Sequence, residues 1–357
     1  MIIPPIYFYL PESKCSIHEL PKNVGEYWQW QIRKGTHEFG DCAWTLLTYL
    51  YLKESNFPCY FTNMIPLEGI CISHRPLLSD TLKPNSQLLL VAIQGDRGRH
   101  PYAQLHVVQN PLQQVHKKFL NSWESSYIPF WTQPGLIPRN PQRGNFFKNI
   151  AFFGQKNNLI LPLRQSSWKK TLKELDLNWQ IIPPTSWNDY SEVDAIVAIR
   201  KFGYSWDHTW KPASKLHNSW LAGVPAIFGC ESAYQAERQS ELDYLEVSSF
   251  DSLLSTIKLL KENIPLREKI FKNSQVRAKE VQPENTISKW QNFLTTKAVP
   301  KYQDWVSMPE SKRQEFIQLR ALTYPFYLKQ RQLRFINAKL TNIFTPENFV
   351  GQTGKYL

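Results

Sequence analysis

The chain has 357 residues, 42% of them hydrophobic, and its 42 Lys and Arg outnumber 30 Asp and Glu for a formal net charge of +12. This length favours two ordinary domains over one, and this composition excludes global disorder. The charge is spread with no dense basic stripe, which argues against nucleic acid and leaves two readings, an anionic partner (a nucleotide, a phosphorylated sugar or an acidic membrane face) or a merely basic soluble surface. Thirteen Trp, 16 Tyr and 20 Phe supply core, and also suit a ligand cleft or interface lined with rings. The five cysteines, Cys15, Cys42, Cys59, Cys71 and Cys230, form no CxxC pair, so neither a disulfide framework nor a zinc site is indicated. No apolar run reaches spanning length and the Pro-rich N-terminus does not read as a signal peptide, so a reducing, cytoplasmic compartment is expected.

Residues 6–10, rich in Ile, Tyr and Phe, read as a strand, and a polar, irregular stretch follows as far as Gly40. Asp41 stands where an N-cap would, ahead of the helically spaced apolar residues of CAWTLLTYLYLKESN. Phe57-Pro58 stops that helix, and CYFTNM (59–64) is the next predicted strand. GICISH (69–74), LLLVAIQ (88–94) and HVVQN (106–110) are apolar runs ending in polar residues, the pattern of parallel strands buried on both faces. Their ends carry His74-Arg75, Gly95-Asp96-Arg97 and Gln109-Asn110, and in open α/β sheets that edge binds ligands. The hexad Gly-Asp-Arg-Gly-Arg-His, with Arg97, Arg99 and His100, reads as a basic, mobile loop. It lacks the GK[ST] ending of a Walker loop.

IPFWTQPGLIPRNPQRGN (128–145) holds four prolines and two glycines and reads as a linker between domains. The α/β pattern then restarts with strands NIAFFG (149–154), WQIIP (179–183) and VDAIVAIR (193–200), and a Ser-capped helix over 166–175. Helices are predicted over 248–263 and 264–280, continuing through 286–297. From Val299 onward nine Lys/Arg face four Asp/Glu, with helices around 310–322 and 327–340 and a break at Pro325. The expected domains are 1–140, 141–298 and a tail, 299–357. The tail either packs back on the first domain or lies on an anionic membrane surface as a peripheral contact.

The stretch from Trp210 to Glu237, WKPASKLHNSWLAGVPAIFGCESAYQAE, orders its signals tightly. Pro212 stands at a tolerated early helix position with Ser214 as a candidate cap; Leu216, Trp220 and Leu221 form a buried face. Gly223 ends the helix, Pro225 forbids its continuation, AIFG is a short buried strand, and Glu231-Ser232 follow at its C-terminal edge. This segment resembles the nucleotide-sugar-binding region of GT-B fold glycosyltransferases, which carry a helix, an Ala-Gly-x-Pro turn, a short strand and a polar loop in this order. The resemblance covers 193–278 and is architectural in the first half. It implies two Rossmann-like α/β domains facing a cleft, with a C-terminal helical tail crossing back. It further implies a transferase, hexosyl in kind, that moves a sugar from a nucleotide-diphosphate donor to an acceptor sugar, lipid-linked or small, with no cofactor and no obligatory metal. Many retaining members place two glutamates eight positions apart here. The matching positions are Trp210 and Asn218, so stereochemistry stays open and a catalytically inactive nucleotide-sugar-binding protein is the alternative.

On the donor side, Lys211, Lys215 and Arg200 (beside Lys201) are candidates to neutralise a diphosphate. Lys215 lies in the first helical turn, where free N–H groups and the macrodipole favour an anion. The resemblance makes Glu231 a ribose ligand, against an ordinary capping or surface role. Ser232, through a phosphate or hydroxyl bond, and Tyr234, by stacking, serve the same nucleotide. Asn218 can bond a sugar hydroxyl, although a helix-surface asparagine is the plainer reading. On the acceptor side an inverting reaction needs a base, and the candidates are His37, Asp41, His74 and Asp96. Asp41 is equally a helix cap, while His74 and Asp96 follow apolar strands at the ligand-facing edge.

Overall fold

A computed structural model of the chain describes residues 3–35, 39–114, 123–203 and 208–343. The first domain is built on β1 (Ile6–Tyr9), β2 (Tyr60–Thr62), β3 (Gly69–His74), β4 (Leu88–Ile93), β5 (Leu105–Val108) and β6 (Ser125–Tyr127), joined in the order β2-β1-β3-β4-β5-β6. Every neighbouring pair is parallel, so all strands present their C-terminal ends at one edge. The runs of β3 and β4 are buried throughout, as their unbroken apolar sequence requires.

Two helices precede β2. The stretch expected to be irregular forms α1 (Val24–Lys34), capped by Asn23, whose Oδ1 accepts from the Glu26 N–H at 2.9 Å. Its buried face is Tyr27, Trp28, Trp30 and Gln31, a helical spacing diluted by intervening polar residues. α2 (Phe39–Glu54) starts two residues before Asp41, so Asp41 lies inside the first turn and does not cap it. The expected strand over 59–64 is confined to the three residues of β2.

The second domain holds β7 (Asn149–Phe153), β8 (Asn178–Ile182), β9 (Ala195–Ala198), β10 (Ala226–Phe228) and β11 (Leu245–Glu246), in the order β11-β10-β9-β7-β8, again all parallel. Its helices are α3 (Ser166–Glu174), α4 (Ser214–Ala222), α5 (Ser232–Glu237), α6 (Phe250–Glu262) and α7 (Ile264–Glu280). Neither α3 nor α4 has the serine cap expected of it. Ser166 and Ser214 are already helical, and Gln165 and Ala213 occupy the cap positions with no side-chain bond. Gly223 ends α4 in the left-handed region at φ 67, the conformation a glycine takes at least cost.

The Pro-rich connection is anchored along its length. Trp131 stacks on Tyr51 at 4.1 Å and donates Nε1–H to Thr48 Oγ1 at 2.9 Å, while Ile137 bridges to Asp189. The return crossing comes earlier than expected. After α7 the chain enters α8 (Pro283–Phe293), a π-helical turn (Leu294–Ala298) and α9 (Val299–Ser307). Trp290, Phe293, Leu294, Ala298, Val299 and Trp305 are buried in the first domain's core with Phe8 and Leu46. The second domain therefore ends near residue 282, not 298, because Pro283 restarts the helix and its aromatics find their burial in the first domain.

α10 (Glu310–Ile343) runs unbroken through Pro325, where a break was expected. Proline forfeits one helical hydrogen bond, but the inner face of α10 is fastened on both sides of it. The Tyr327 hydroxyl accepts the Arg99 N–H at 2.9 Å, the Trp123 ring lies 5.1 Å from Tyr327, and the Arg320 guanidinium sits 4.4 Å over Trp123. The architecture is α/β, two parallel-sheet domains about a cleft with a helical tail returning to the first, the GT-B-like arrangement the resemblance implied. Among the described residues no helix is long and apolar enough to cross a membrane.

Candidate functional site

A cleft of about 520 Å3 lies between the domains and takes its walls from both. The second domain contributes Gly154, just past β7, and Arg200, just past β9, together with Lys211, Lys215 and Asn218 on the approach to and body of α4. The first contributes Gly40, Ala43 and Trp44 of α2, Asp96 after β4, and Trp28 and Gln31 of α1; Phe130 to Pro134 of the connection close the base.

The cationic wall contains an unusual lysine. Lys215 Nζ lies 5.7 Å over the Phe152 ring and has no ion pair among the described residues. Burial first, then the charges of Arg200 and Lys211, push its pKa down to about 7. It stands in the first turn of α4, whose cap residue Ala213 offers the N–H groups of that turn no side-chain acceptor. Gly154 leaves room beside it. A Cβ there would lie 2.8 Å from the Phe152 ring and 3.5 Å from Lys215 Cε.

The other donor-side candidates are placed differently from expectation. Arg200 is largely buried in the cleft wall and ion-paired with Glu231, so Glu231 is turned toward that guanidinium; its Oε1 is buried without a hydrogen-bond partner. Tyr234 cannot stack on a base: its ring is buried against Phe228, with centroids 4.3 Å apart, and its hydroxyl bonds Arg200. Ser232 is buried too, accepting from Asn110 Nδ2 across the domain boundary at 3.0 Å. Asn218 is no surface residue. It is buried at the cleft base, where its Oδ1 accepts the Gln133 N–H at 2.9 Å. Trp210, at the other position singled out in the sequence, neighbours the His208 ring at 5.5 Å.

On the acceptor side, Asp41 and His74 form one unit. His74 Nδ1 lies 2.9 Å from Asp41 Oδ1, and Lys14 Nζ approaches Asp41 Oδ2 at 3.2 Å. The bond from His74 holds the Asp41 carboxyl below its usual range, while burial lowers the His74 pKa and keeps the ring neutral. With Nδ1–H given to Asp41, Nε2 is the bare nitrogen. It is buried without a partner and packed so tightly on Gly95 that a Cβ there would collide with it. The pair thus braces the turn that carries Asp96, while Asp96 itself faces the cleft. The Asp96 side chain is half exposed and forms an ion pair with Lys211 across the two domains. His37 lies outside the described residues. The hexad expected to be mobile is fixed: Arg99 and His100 are buried, with Arg99 Nη2 donating to Gln113 O at 2.7 Å and the His100 ring nitrogens all engaged.

The sequence reading missed the aromatic wall formed by Trp28, Trp44, Phe130, Trp187 and Tyr190. A signal for part of it existed in the spacing of Tyr27, Trp28 and Gln31 around α1; the rest arrives from separate segments. Among the described residues no group of three or more His, Cys, Asp or Glu could hold a metal ion.

No family model matches the chain, and no curated protein sequence matches it. Solved structures similar to it include S. aureus TarM in complex with UDP, at 9% identity and a TM-score of 0.46, over 70% of this chain and 58% of that one. The pneumococcal O-GlcNAc transferase GtfA in complex with UDP and GlcNAc gives 12% identity and a TM-score of 0.45, over 71% of this chain and 60% of that one. Anabaena HepE in complex with UDP-glucose gives 11% and 0.45, over 82% of this chain and 100% of that one. The chain thus spans less than two thirds of the length of TarM and GtfA.

Proposed function

We propose that this chain transfers a sugar, a hexose in the simplest case, from a nucleoside-diphosphate donor to an acceptor hydroxyl. The observation that carries the reading is Lys215, a half-buried amine with no ion pair among the described residues, flanked by Arg200 and Lys211 at a helix N-terminus in an interdomain cleft. A diphosphate supplies the charge this wall lacks. It also competes with Asp96 for Lys211, which frees a carboxylate on the opposite wall to accept the proton of the acceptor hydroxyl. The acceptor oxygen then bonds the anomeric carbon as the bond from that carbon to the diphosphate oxygen breaks. The electron pair leaves with the nucleoside diphosphate, whose growing charge meets Lys215, Lys211 and the N–H groups of α4. Asp41 and His74 act from behind by holding Gly95 and so placing Asp96. Lysines and N–H groups offset the leaving-group charge in this scheme, so it calls for no divalent ion. Calorimetry with a panel of nucleoside diphosphates, followed by product analysis in EDTA, tests it. Absence of nucleotide binding, or binding untouched by Lys215→Met, removes the reading.

The ion pair that occupies Asp96 favours a second reading, a nucleotide-sugar-binding protein without turnover. Donor that binds but is neither hydrolysed nor transferred to any acceptor selects it. A lipid-linked acceptor fits the first reading as well as a small one. The outward face of α10, where Leu322 and Phe326 are exposed, is where the tail would meet an anionic membrane. Loss of liposome co-sedimentation in Phe326→Ser tests that contact.

A further inference from the structure

A second concentration of positive charge lies away from the cleft wall, beneath α10 in the first domain. Arg75, Arg99 and Arg320 are each more than nine-tenths buried there. Arg75 donates Nη1–H to Leu78 O at 2.9 Å and pairs through Nη2 with Asp80, whose side chain is 58% exposed. Its Nε is buried with no hydrogen-bond partner. Arg99 donates Nη2–H to Gln113 O, but its Nη1 is buried with no partner, and it has no carboxylate among the described residues. The two histidines in the group do not compensate. His100 and His106 are buried and held neutral, and His106 is depressed first by burial and then by the charges of Arg99, His100, Arg320 and Arg75. Arg320 also feels the charge of Arg99. Burial brings Arg99 down to about 10, and burial followed by the charge of Arg99 does the same to Arg320.

Guanidinium groups are seldom buried without anions, because desolvation costs several kcal/mol per ion and needs a matched partner. An Arg fork with unspent donors matches the geometry of a phosphate-type oxyanion and is poorly served by a neutral ligand. We propose that a small tetrahedral oxyanion, of the size and charge of inorganic phosphate, binds beneath α10 on Arg99 Nη1 and Arg75 Nε, with Arg320 adding charge from the helix. Such an anion fastens three segments at once. Arg75 follows β3, Arg99 belongs to the turn that also carries Asp96, and Arg320 belongs to α10. The hydroxyls of Tyr324 and Tyr327 already reach Arg75 Nη2 at 3.4 Å and the Arg99 N–H at 2.9 Å, so the tail is seated over the site. The site is separate from the proposed donor wall, and its test does not depend on that reading.

The test is thermal unfolding of the full chain at fixed ionic strength in chloride, titrated with inorganic phosphate. Phosphate also fits the cleft, so the titration is made in Lys215→Met, which blanks that wall. The expected result is a saturable rise in melting temperature in Lys215→Met, absent when Arg99→Met is added. Removing a buried, under-paired charge this way keeps a similar shape and need not unfold the domain. If Arg99→Met does not fold, Arg99→Lys replaces it, with phosphate binding followed by phosphorus-31 line broadening and half-saturation expected to move at least tenfold. A flat titration in Lys215→Met overturns the proposal. So does an undiminished response when Arg99 is changed in either way.

Discussion

Lys215 allows a measurement that reports on the cleft without knowledge of the acceptor. Its pKa near 7 has burial as the first cause and the cations Arg200 and Lys211 as further ones, all of which oppose the charged amine. A bound diphosphate reverses the balance and favours the ammonium form. A lysine titrating near 7 is about nine-tenths neutral at pH 8 and about one-tenth neutral at pH 6. A nucleotide sugar carries a doubly esterified diphosphate with no group that titrates in this range. Its binding should therefore take up about 0.9 proton per site at pH 8 and only about 0.1 at pH 6. Affinity should fall roughly tenfold per pH unit above pH 7, because binding then includes the cost of protonation. Calorimetry in buffers of different ionisation enthalpy reads the uptake directly as the slope of apparent enthalpy. A zero slope at pH 8 with clear binding would refute the argument, as would an equal slope in Lys215→Met.

His100 predicts acid sensitivity. Its Nδ1 accepts the N–H groups of Tyr102 and Ala103 at 3.1 and 2.9 Å and its Nε2 lies 2.8 Å from Ser79 O, which fixes the neutral form. Burial takes its folded pKa from 6.5 to about 4, so its contribution is intact above pH 6.5 and is lost as pH falls toward 4. About 3 kcal/mol should disappear over that window in urea unfolding, and His100→Gln should lack this slope. Asp96→Asn should lower kcat by roughly 10²- to 10⁴-fold while donor binding in calorimetry is retained or tightened, because Lys211 is released from its ion pair. Gly154→Ala should weaken donor binding, since its Cβ collides with the Phe152 ring over which Lys215 lies; by melting it should cost about 1–3 kcal/mol of stability. Transfer activity should persist in EDTA, and complete loss restored by manganese counts against the proposed charge arrangement.

The strands were the most legible part of the sequence. GICISH and LLLVAIQ announce doubly buried strands because nothing in them tolerates water, and the AGVP turn fixes the end of α4 because only glycine takes φ 67 easily. Helix starts were less legible. Asn23 was hidden by the polar run around it, and serines at 166 and 214 looked like caps one residue too late. Within the site, Lys215 and Asp96 could be picked out from their places after a turn and a strand. The roles of Glu231 and Tyr234 could not, because their orientation is set by Arg200, which arrives from β9, and by the Phe228 ring at the end of β10. The Asp41–His74 bond joins residues 33 apart, and no local pattern encodes it.

The early return of the chain at Pro283 gives the two domains different histories during synthesis. The second domain is one uninterrupted segment and has all of its core residues once α7 has left the ribosome. The first domain begins earlier but lacks Trp290, Phe293 and Trp305 until the second has been made in full. Its strands must wait, with part of α2 and β1 uncovered, while a later neighbour closes first. Domains usually mature in the order they emerge; the way the two cores are shared out along this chain predicts the reverse order. A nascent chain stalled before Pro283 should carry a protease-resistant second domain beside a protease-sensitive first one.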